Sequence, residues 1–299
     1  TPVGTPPNLI AIEMISEQLD QRITFVQWML LSAPIVILLL GIVFVYLGWV
    51  GRTGLAEIPG TESIIAERKR ALGPWRRAEI NAVIAFSVTV VLWIGPGLLA
   101  LALGTNHPLV ESVNSSVPAA VAALIGVVLL FILPNSPSEH STITWKQAAQ
   151  IDWGTILLFG GGLSLGALAG ETGLARAVAD AITGVLPISD VATLAFAGAI
   201  FTVVLSEAMS NTAATNIAIP IVISIAQAAG VTAIIPAVAA ALAASVAAVL
   251  PVSTPPNAVV YASGRVTITD MIKYGLLMDV TAVTLVPILV LTIAPFFIG

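Results

Sequence analysis

Residues 210–215 read SNTAAT, and they separate the apolar run VATLAFAGAIFTVVL, which ends a few residues earlier, from the run NIAIPIVISIAQAAG, which follows at once. Ser210, Asn211 and Thr212 are three consecutive side chains that form hydrogen bonds, and the runs on either side offer few partners. Burying such a group without a partner costs free energy. The stretch therefore predicts a site at which these side chains meet polar groups from elsewhere.

The composition indicates a membrane protein. Charged residues make up 9% of the 299 residues and apolar residues 58%, compared with about 25% and about 45–50% in soluble domains. Residues 26–50, 80–104 and 191–205 contain no Asp, Glu, Lys or Arg, and about 20 apolar helical residues cross a bilayer. We therefore predict an all-α polytopic protein of the lipid bilayer, with no nucleic-acid partner. The lack of cysteine excludes a disulfide, a thiol catalyst and a thiolate metal site.

Apolar segments and their breakers divide the chain into predicted elements. Spans are predicted at about 23–49, 80–103, 117–133, 153–170 and 274–297, with a short helix after Asn8, a polar loop at 51–79 and an amphipathic helix at 174–185. Two arms, 190–207 and 213–229, form a predicted hairpin (190–229), which precedes a broken span at 231–263. The predicted parts are 1–22 as the tail of a first transport unit, 23–152 as scaffold, 153–273 as a second transport unit and 274–299 as the last span.

The basic residues predict the orientation. Six of the eleven Lys and Arg residues lie in loop 51–79. Counting spans places Lys146, Arg265 and Lys273 on the same face, and Arg22 and Arg176 on the other. The positive-inside rule makes the face of the loop cytoplasmic and the C-terminus external, in an expected bacterial inner membrane. The charges do not distinguish a re-entrant hairpin from two crossings. The re-entrant form is favoured because each arm has about 16 residues and the polar break is short.

A repeat indicates how the site is built. GTPPNLIA at 4–11, the first copy, matches STPPNAVV at 253–260, the second copy. Proline lacks an N–H and disfavours helix in the preceding residue, so a break is predicted at PVSTPPN, 251–257. Broken backbone persists in a membrane where it is buried or lines a wet cavity, and its carbonyls and helix ends bind ions. Two such breaks are typical of transporters built from inverted repeats, whereas the alternative is a simple proline kink.

The spacing of the motifs also predicts how much of the transporter this chain contains. Ser210 lies 44 residues before Thr254 (254 − 210 = 44). A counterpart at the same distance before Thr5 would precede residue 1. We therefore expect the chain to be the C-terminal portion of a longer transporter, with the tail of one repeat and the whole of the other.

These motifs resemble those of the divalent anion/sodium symporter family. SNT at a hairpin tip, TPPN in a broken helix and DWGTILLFGGGLSLG upstream occur in the family's order, and the resemblance covers nearly the whole chain. It implies an inverted-repeat secondary transporter that carries dicarboxylates such as succinate, malate or fumarate, with citrate or sulfate in some branches. It also implies sodium coupling, alternating access and a homodimer.

The resemblance further implies the site residues. Substrate carboxylates would contact Ser210, Asn211, Thr212, Thr254 and Pro255, with Thr5 and Pro6 from the first copy. One sodium ion would lie at Ser206, Met209, Asn211 and Ser253, and Gly4 would line a second sodium site. Hydroxyl, amide and carbonyl oxygens suit a hard cation. Because no Lys or Arg is near the SNT stretch in the sequence, anion binding would depend on sodium, although sodium-independent exchange is left open.

Carboxylates at membrane depth are candidates for function. Glu207 is interpreted as a proton carrier, as a group that shapes the sodium field, or as an orienting group hydrogen-bonded to its neighbours, and the last is favoured. Asp279 is expected to be an interfacial or inter-helix partner. Asp152 and Trp153 are expected to be interface anchors.

Other classes of protein fit the sequence less well. His107 and His140 are predicted in loops on opposite faces, which disfavours a Ser/His protease. An aspartyl enzyme would need two facing Asp residues within the spans, and the sequence has no such pair. A hairpin beside a broken helix is typical of alternating access and not of a channel. An arsenite or sodium/proton antiporter would need charge at the site, where Glu207 alone qualifies.

The glycines of FGGGLSLGALAG suggest packing and not ligand binding. Gly162, Gly166 and Gly170 fall on one helical face. A phosphate loop would need a following Lys-Ser/Thr and a preceding strand. Small residues at this spacing predict close contact between membrane helices.

Overall fold

The computed structural model describes residues 1–51, 61–104, 107–136, 141–151, 153–184 and 190–298. The regular structure in these ranges is helical, which confirms the all-α prediction. The α-helices are α1 (Pro6–Leu19), α2 (Phe25–Val50), α3 (Thr61–Leu72), α4 (Arg77–Leu103), α5 (Pro108–Ser116), α6 (Ala119–Ile132), α7 (Trp145–Ala148), α8 (Trp153–Glu171), α9 (Leu174–Thr183), α10 (Val191–Ala208), α11 (Asn211–Ala229), α12 (Ile234–Ala244), α13 (Pro255–Ala262) and α14 (Ile268–Ile293), with 3-10 turns at Pro2–Gly4 and Ala294–Phe296. Arg52, His140 and Asp152 lie outside the described residues.

Several of these helices are long and apolar enough to cross a membrane. In the described part of the chain they number five: α2, α4, α10, α11 and the segment Ile268–Phe296 that contains α14. The helices α6 and α12 are apolar but shorter, with 14 and 11 residues. The predicted polytopic membrane protein is therefore confirmed.

Three predicted boundaries were wrong. Loop 51–79 contains α3, a polar helix without buried residues, and the first residues of α4. The first helix begins at Pro6 and not after Asn8. The broken span is unwound over 245–254, which we call the unwound segment, so the predicted break at 251–257 overlaps it only at 251–254. Proline is well tolerated in the first turn of a helix, where its missing N–H has no helical partner to lose, so each Pro-Pro pair begins a helix.

The helices α10 and α11 form the predicted hairpin. Met209 and Ser210 alone separate them. A Cβ atom on Gly198 would lie 3.1 Å from a methyl group of Val222, and the two residues are equally far from Ser210, at 12 positions before and after it (210 − 198; 222 − 210). The two arms therefore fold back on each other, with the SNT stretch at the tip.

The length argument for a re-entrant hairpin was wrong. The arms have 18 and 19 residues, and the predicted ranges 190–207 and 213–229 themselves hold 18 and 17 and not about 16. At about 1.5 Å of rise per residue, each arm is roughly as long as the hydrocarbon core is thick, at about 30 Å. Entry and return on one side of the membrane stays a prediction that rests on the short polar tip.

Contacts divide the chain into two compact units, Thr1–Val43 with Asp152–Gly299, and Phe44–Ile151. The core of the first unit is formed by α1, the first part of α2, the hairpin, α12 and α14. Helix α12 lies inside this core, and every residue from Ala237 to Ala241 is fully buried. Alanine side chains let neighbouring helices approach closely, so α12 packs against both the hairpin and α14.

The second unit is built around α4 and α6. A Cβ atom on Gly126 of α6 would overlap the side chain of Thr89 on α4, so this contact requires glycine. Asn81 of α4 donates hydrogen bonds to the Pro134 carbonyl at 3.0 Å and to the Thr142 hydroxyl at 2.7 Å. The contacts described in this unit thus pack α4 against α6 and hold the loop that follows α6. The predicted site residues all lie in the first unit.

The contact between the hairpin arms predicts the effect of Gly198→Ile. The new side chain would collide with Val222, which is itself buried, and overpacking of this kind costs about 1–3 kcal/mol. We expect a lower midpoint of thermal unfolding for the purified variant in detergent.

The matched control is Gly41→Ile on α2, where an added Cβ meets no atom within 4 Å. It makes the same change in helix propensity without the collision. Equal midpoints for the two variants would contradict the close packing of the arms.

Candidate functional site

The hairpin tip and the unwound segment meet at one backbone hydrogen bond. The N–H of Asn211 donates to the carbonyl of Ser253 at 2.9 Å. Ser210 is the N-cap of α11, and its hydroxyl accepts from the N–H of Ala213 at 3.1 Å. The structure therefore brings the SNT stretch and the second Thr-Pro motif together, although 42 positions separate the bonded residues (253 − 211).

Ser206 connects the same tip to α12. Its hydroxyl is fully buried and lies 2.6 Å from Oδ1 of Asn211 and 3.2 Å from the carbonyl oxygen of Ala244. Ala244 is the last residue of α12, so its carbonyl has no partner within its own helix. The hairpin, the end of α12 and the unwound segment thus converge on a group of neutral oxygen atoms.

The second Thr-Pro motif is a structured turn. The Ser253 hydroxyl donates to the Leu250 carbonyl at 2.7 Å. The side-chain amide of Asn257 donates to the same carbonyl at 3.1 Å and to the Ser253 hydroxyl at 3.0 Å. Thr254 is extended, with φ −155° and ψ 149°, and directs the chain into α13.

The first copy forms the same turn. Thr5 has φ −155° and ψ 145°, within 4° of the angles of Thr254. The Asn8 side chain donates to the carbonyl of Thr1 at 2.9 Å, seven positions earlier (8 − 1 = 257 − 250), as Asn257 does to Leu250. The sequence repeat is therefore a repeat of local structure, while the inverted symmetry of whole halves stays a prediction.

A cavity of about 230 Å³ adjoins the first copy. Its lining includes Gly4, Thr5, Asn8, Ser32 and Ser245. The Oδ1 atom of Asn8 is buried and has no hydrogen-bond donor in the described part of the chain. Ser245 directly follows Ala244, the partner of Ser206, so the first copy and the hairpin tip both lie near the C-terminal end of α12.

The predicted site residues thus form two groups. The structure brings Ser206, Met209, Ser210, Asn211, Thr212, Ser253, Thr254 and Pro255 together around the junction, and it places Gly4, Thr5 and Pro6 at the first turn, where Gly4 and Thr5 line the cavity. Ser253 is fully buried, whereas Thr212 and Thr254 are partly exposed. The junction therefore offers both enclosed oxygen atoms and accessible hydroxyl groups.

The helix ends at the junction differ in the donors they present. The first turn of α11 has an N–H on each of its residues, although those of Asn211 and Ala213 are bonded to Ser253 and Ser210, and helix N-termini favour anions. Helix α13 begins with Pro255 and Pro256, which lack N–H groups, and the next N–H, on Asn257, is bonded to the Thr254 carbonyl. The Thr-Pro side can therefore offer a hydroxyl group and the helix dipole, but not the free N–H groups expected from the sequence.

Two carboxylates hold the unwound segment. Glu207 accepts from the N–H groups of Val249 at 2.9 Å and Leu250 at 2.6 Å. Asp279 on α14 accepts from the N–H of Ala248 at 3.1 Å. The favoured interpretation of Glu207 as an orienting group and the inter-helix role of Asp279 agree with these contacts. Sequence reasoning did not assign a role to Asn257, although its recurrence as Asn8 was a usable signal.

A hairpin and a broken helix that meet at a polar junction place the chain among polytopic membrane proteins with discontinuous helices, an arrangement typical of secondary transporters. The family model described as the sodium:sulfate symporter transmembrane region matches residues 2–297. The chain therefore belongs to this family, and the resemblance drawn from its motifs is confirmed.

The relatives extend this result. The sodium-dependent dicarboxylate transporter SdcS of Staphylococcus aureus strain MRSA252 is 33% identical over 307 residues, which cover 100% of this chain and 56% of the relative. SdcS of strain NCTC 8325 / PS 47 has the same identity and coverage, and SdcS of the bovine strain RF122 / ET3-1 is 32% identical. The chain thus spans 56% of the length of these relatives. As predicted, the names are those of transporters and not of enzymes.

The repeated turn predicts the effect of Asn257→Ala. The change removes two hydrogen bonds, to Leu250 and Ser253, each worth about 1 kcal/mol. We expect the free energy of unfolding to fall by about 1–3 kcal/mol, measured by thermal unfolding in detergent. Gln150→Ala, at an exposed position, is the control. Equal losses for both variants would contradict the role of Asn257 in the turn.

Proposed function

We propose that this chain supplies half of the substrate clamp and one sodium site of a sodium-coupled symporter of dicarboxylates such as succinate, malate or fumarate, which works by alternating access. The observation that supports the proposal most directly is the hydrogen bond from Asn211 N–H to the Ser253 carbonyl. It joins the SNT tip to the Thr-Pro turn, the two elements on which the motif resemblance depends. The name of the SdcS relatives, sodium-dependent dicarboxylate transporter, agrees with the proposal.

The substrate is bound by neutral groups. Ser210, Thr212 and Thr254 are partly exposed and bear hydroxyl groups that can donate to a carboxylate. Asn211 adds its side-chain amide, and Pro255 lines the turn. The N-terminus of α11 contributes positive potential at the same place. Thr5 and Pro6 act in the same way on the other side of the substrate.

The sodium ion binds behind the tip. The Ser206 hydroxyl, Oδ1 of Asn211 and the backbone at Met209 and Ser253 supply uncharged oxygen atoms, which hard cations prefer. Ser206 and Ser253 are fully buried, so the ion exchanges water for protein oxygen atoms. Gly4 lines a second sodium site at the first turn.

The lack of a fixed cation couples the two ions. No Lys or Arg occurs in the sequence between Arg176 and Arg265, a stretch that includes the hairpin and the unwound segment. A dicarboxylate placed among neutral donors loses hydration without gaining a full opposite charge. Sodium beside Asn211 supplies that charge, and the anion in turn stabilises sodium, since coupling between two ligands is reciprocal.

The placement of the protein follows the distribution of charge. Loop 51–79 faces the cytoplasm and the C-terminus lies outside, because nine of the eleven basic residues then lie on the inner face. The membrane is the bacterial inner membrane. The transporter works as a homodimer joined through its scaffold spans, as the family resemblance implies.

The test of this function is uptake of radiolabelled succinate into proteoliposomes that contain the complete protein. We expect uptake to require an inward sodium gradient. In Asn211→Ala, uptake should fall at least about tenfold, the equivalent of one hydrogen bond to a charged group. This variant keeps the backbone N–H that donates to Ser253, so the loss reports on the side chain.

Gln227→Ala is the matched control, because Gln227 is exposed on the same hairpin, far from the tip. Uptake that needs no sodium but rises with internal succinate would favour exchange. Because the family description names sulfate, unlabelled sulfate is added in excess as a competitor. Uptake of labelled sulfate without uptake of succinate would contradict the dicarboxylate assignment.

A further inference from the structure

The unwound segment contains three consecutive backbone N–H groups that are bonded to carboxylates from two different helices. Those of Val249 and Leu250 donate to the two oxygen atoms of Glu207, at 2.9 and 2.6 Å. That of Ala248 donates to Asp279 at 3.1 Å. An unbonded N–H inside a membrane protein costs several kcal/mol.

The surface of α14 is shaped to receive this segment. A Cβ atom on Gly275 would lie 2.9 Å from Cα of Val249 and would overlap the carbonyl group of Ala248. Only glycine allows the two backbones to lie this close. Asp279 follows one helical turn later on the same face and reaches the N–H of Ala248. Glu207 on α10 and Asp279 on α14 thus hold the segment together.

The contacts of this segment lead directly to the junction. Leu250, whose N–H donates to Glu207, accepts at its carbonyl from the hydroxyl of Ser253 and the amide of Asn257. Ser253 in turn accepts at its own carbonyl from Asn211. A change at Glu207 thus reaches the hairpin tip through two residues, Leu250 and Ser253. The oxygen atoms of Glu207 accept from the unwound segment and not from the SNT side chains.

We propose that Glu207 and Asp279 act together as positioning residues, which fix the unwound segment so that Ser253 and Thr254 meet the hairpin tip, and thereby set the affinity for sodium and dicarboxylate. The proposal rests on the proposed function. It differs from a purely structural role, because it predicts higher half-saturation constants for sodium and succinate in variants that fold and are present in normal amounts.

The first measurement is independent of transport. Hydrogen–deuterium exchange of the complete protein in detergent is followed in the peptide that contains 245–254. Glu207→Gln keeps the length of the side chain but replaces one accepting oxygen by an NH₂ group. We expect exchange at Val249 and Leu250 to become at least about tenfold faster. Asp279→Ala should do the same at Ala248, and Asp279→Asn, which keeps one carbonyl oxygen, should restore most of the protection.

The second measurement is the sodium and succinate dependence of uptake by the same variants, normalised to folded protein. We expect both half-saturation constants to rise about tenfold in Glu207→Gln and Asp279→Ala, with little change in maximal rate, and Asp279→Asn to return them towards the original values. The control is Glu17→Gln, an exposed carboxylate on α1, which should change neither exchange nor uptake.

The outcomes separate this proposal from the proposed function. Faster exchange with unchanged half-saturation constants overturns the positioning role, and so does exchange equal to that of Glu17→Gln. If the unaltered protein takes up no succinate, the proposed function fails, while the exchange data still decide whether the carboxylates hold the segment. If Glu207→Gln does not fold, the comparison of Asp279→Ala with Asp279→Asn makes the same decision.

Discussion

The hydrogen bond between Asn211 and Ser253 satisfies backbone groups at two helix breaks at once. Each helix end leaves backbone groups without helical partners, and the interior of a membrane offers no water to replace them. Here the first N–H of α11 is bonded to a carbonyl of the unwound segment at 2.9 Å. Because each break satisfies a polar group of the other, neither can be moved alone. The polar side chains of the SNT stretch have partners at the same place, because Ser206 donates to the Asn211 side chain and the Ser210 hydroxyl accepts from Ala213.

Small residues make this arrangement possible. The fully buried alanines of α12 let the hairpin and α14 approach from both sides, so that Ser206 reaches the carbonyl at the end of α12. Gly198 brings the two arms together, and Gly275 lets the unwound segment lie on α14. The packing is close because side chains are small, which is the usual solution between membrane helices. The oxygen atoms of the site are thus positioned by the helices around them.

The sequence predicted the elements better than their edges. Long apolar runs identified the spans, since the length of a membrane helix is limited by the bilayer. The Pro-Pro pairs correctly indicated breaks, but their position was wrong because proline can begin a helix as well as end one. Helix α3 has no apolar face, so the sequence pattern predicts a loop there. The contacts of Glu207 and Asp279 depend on the path of the unwound backbone, which side-chain patterns do not encode.

The two Thr-Pro turns share a backbone and differ where Gly4 corresponds to Ser253, and this difference separates the chemistry of the two turns. Ser253 provides a hydroxyl that bonds both Leu250 and Asn257. Its counterpart is Gly4, which has no hydroxyl, and the corresponding Asn8 keeps an unpaired buried oxygen beside a cavity. The second copy therefore presents an internally bonded serine hydroxyl, whereas the first leaves the buried amide oxygen of Asn8 without a donor beside a cavity. The two proposed sodium sites thus differ in the ligands they offer, and equal affinities for sodium do not follow from the repeat.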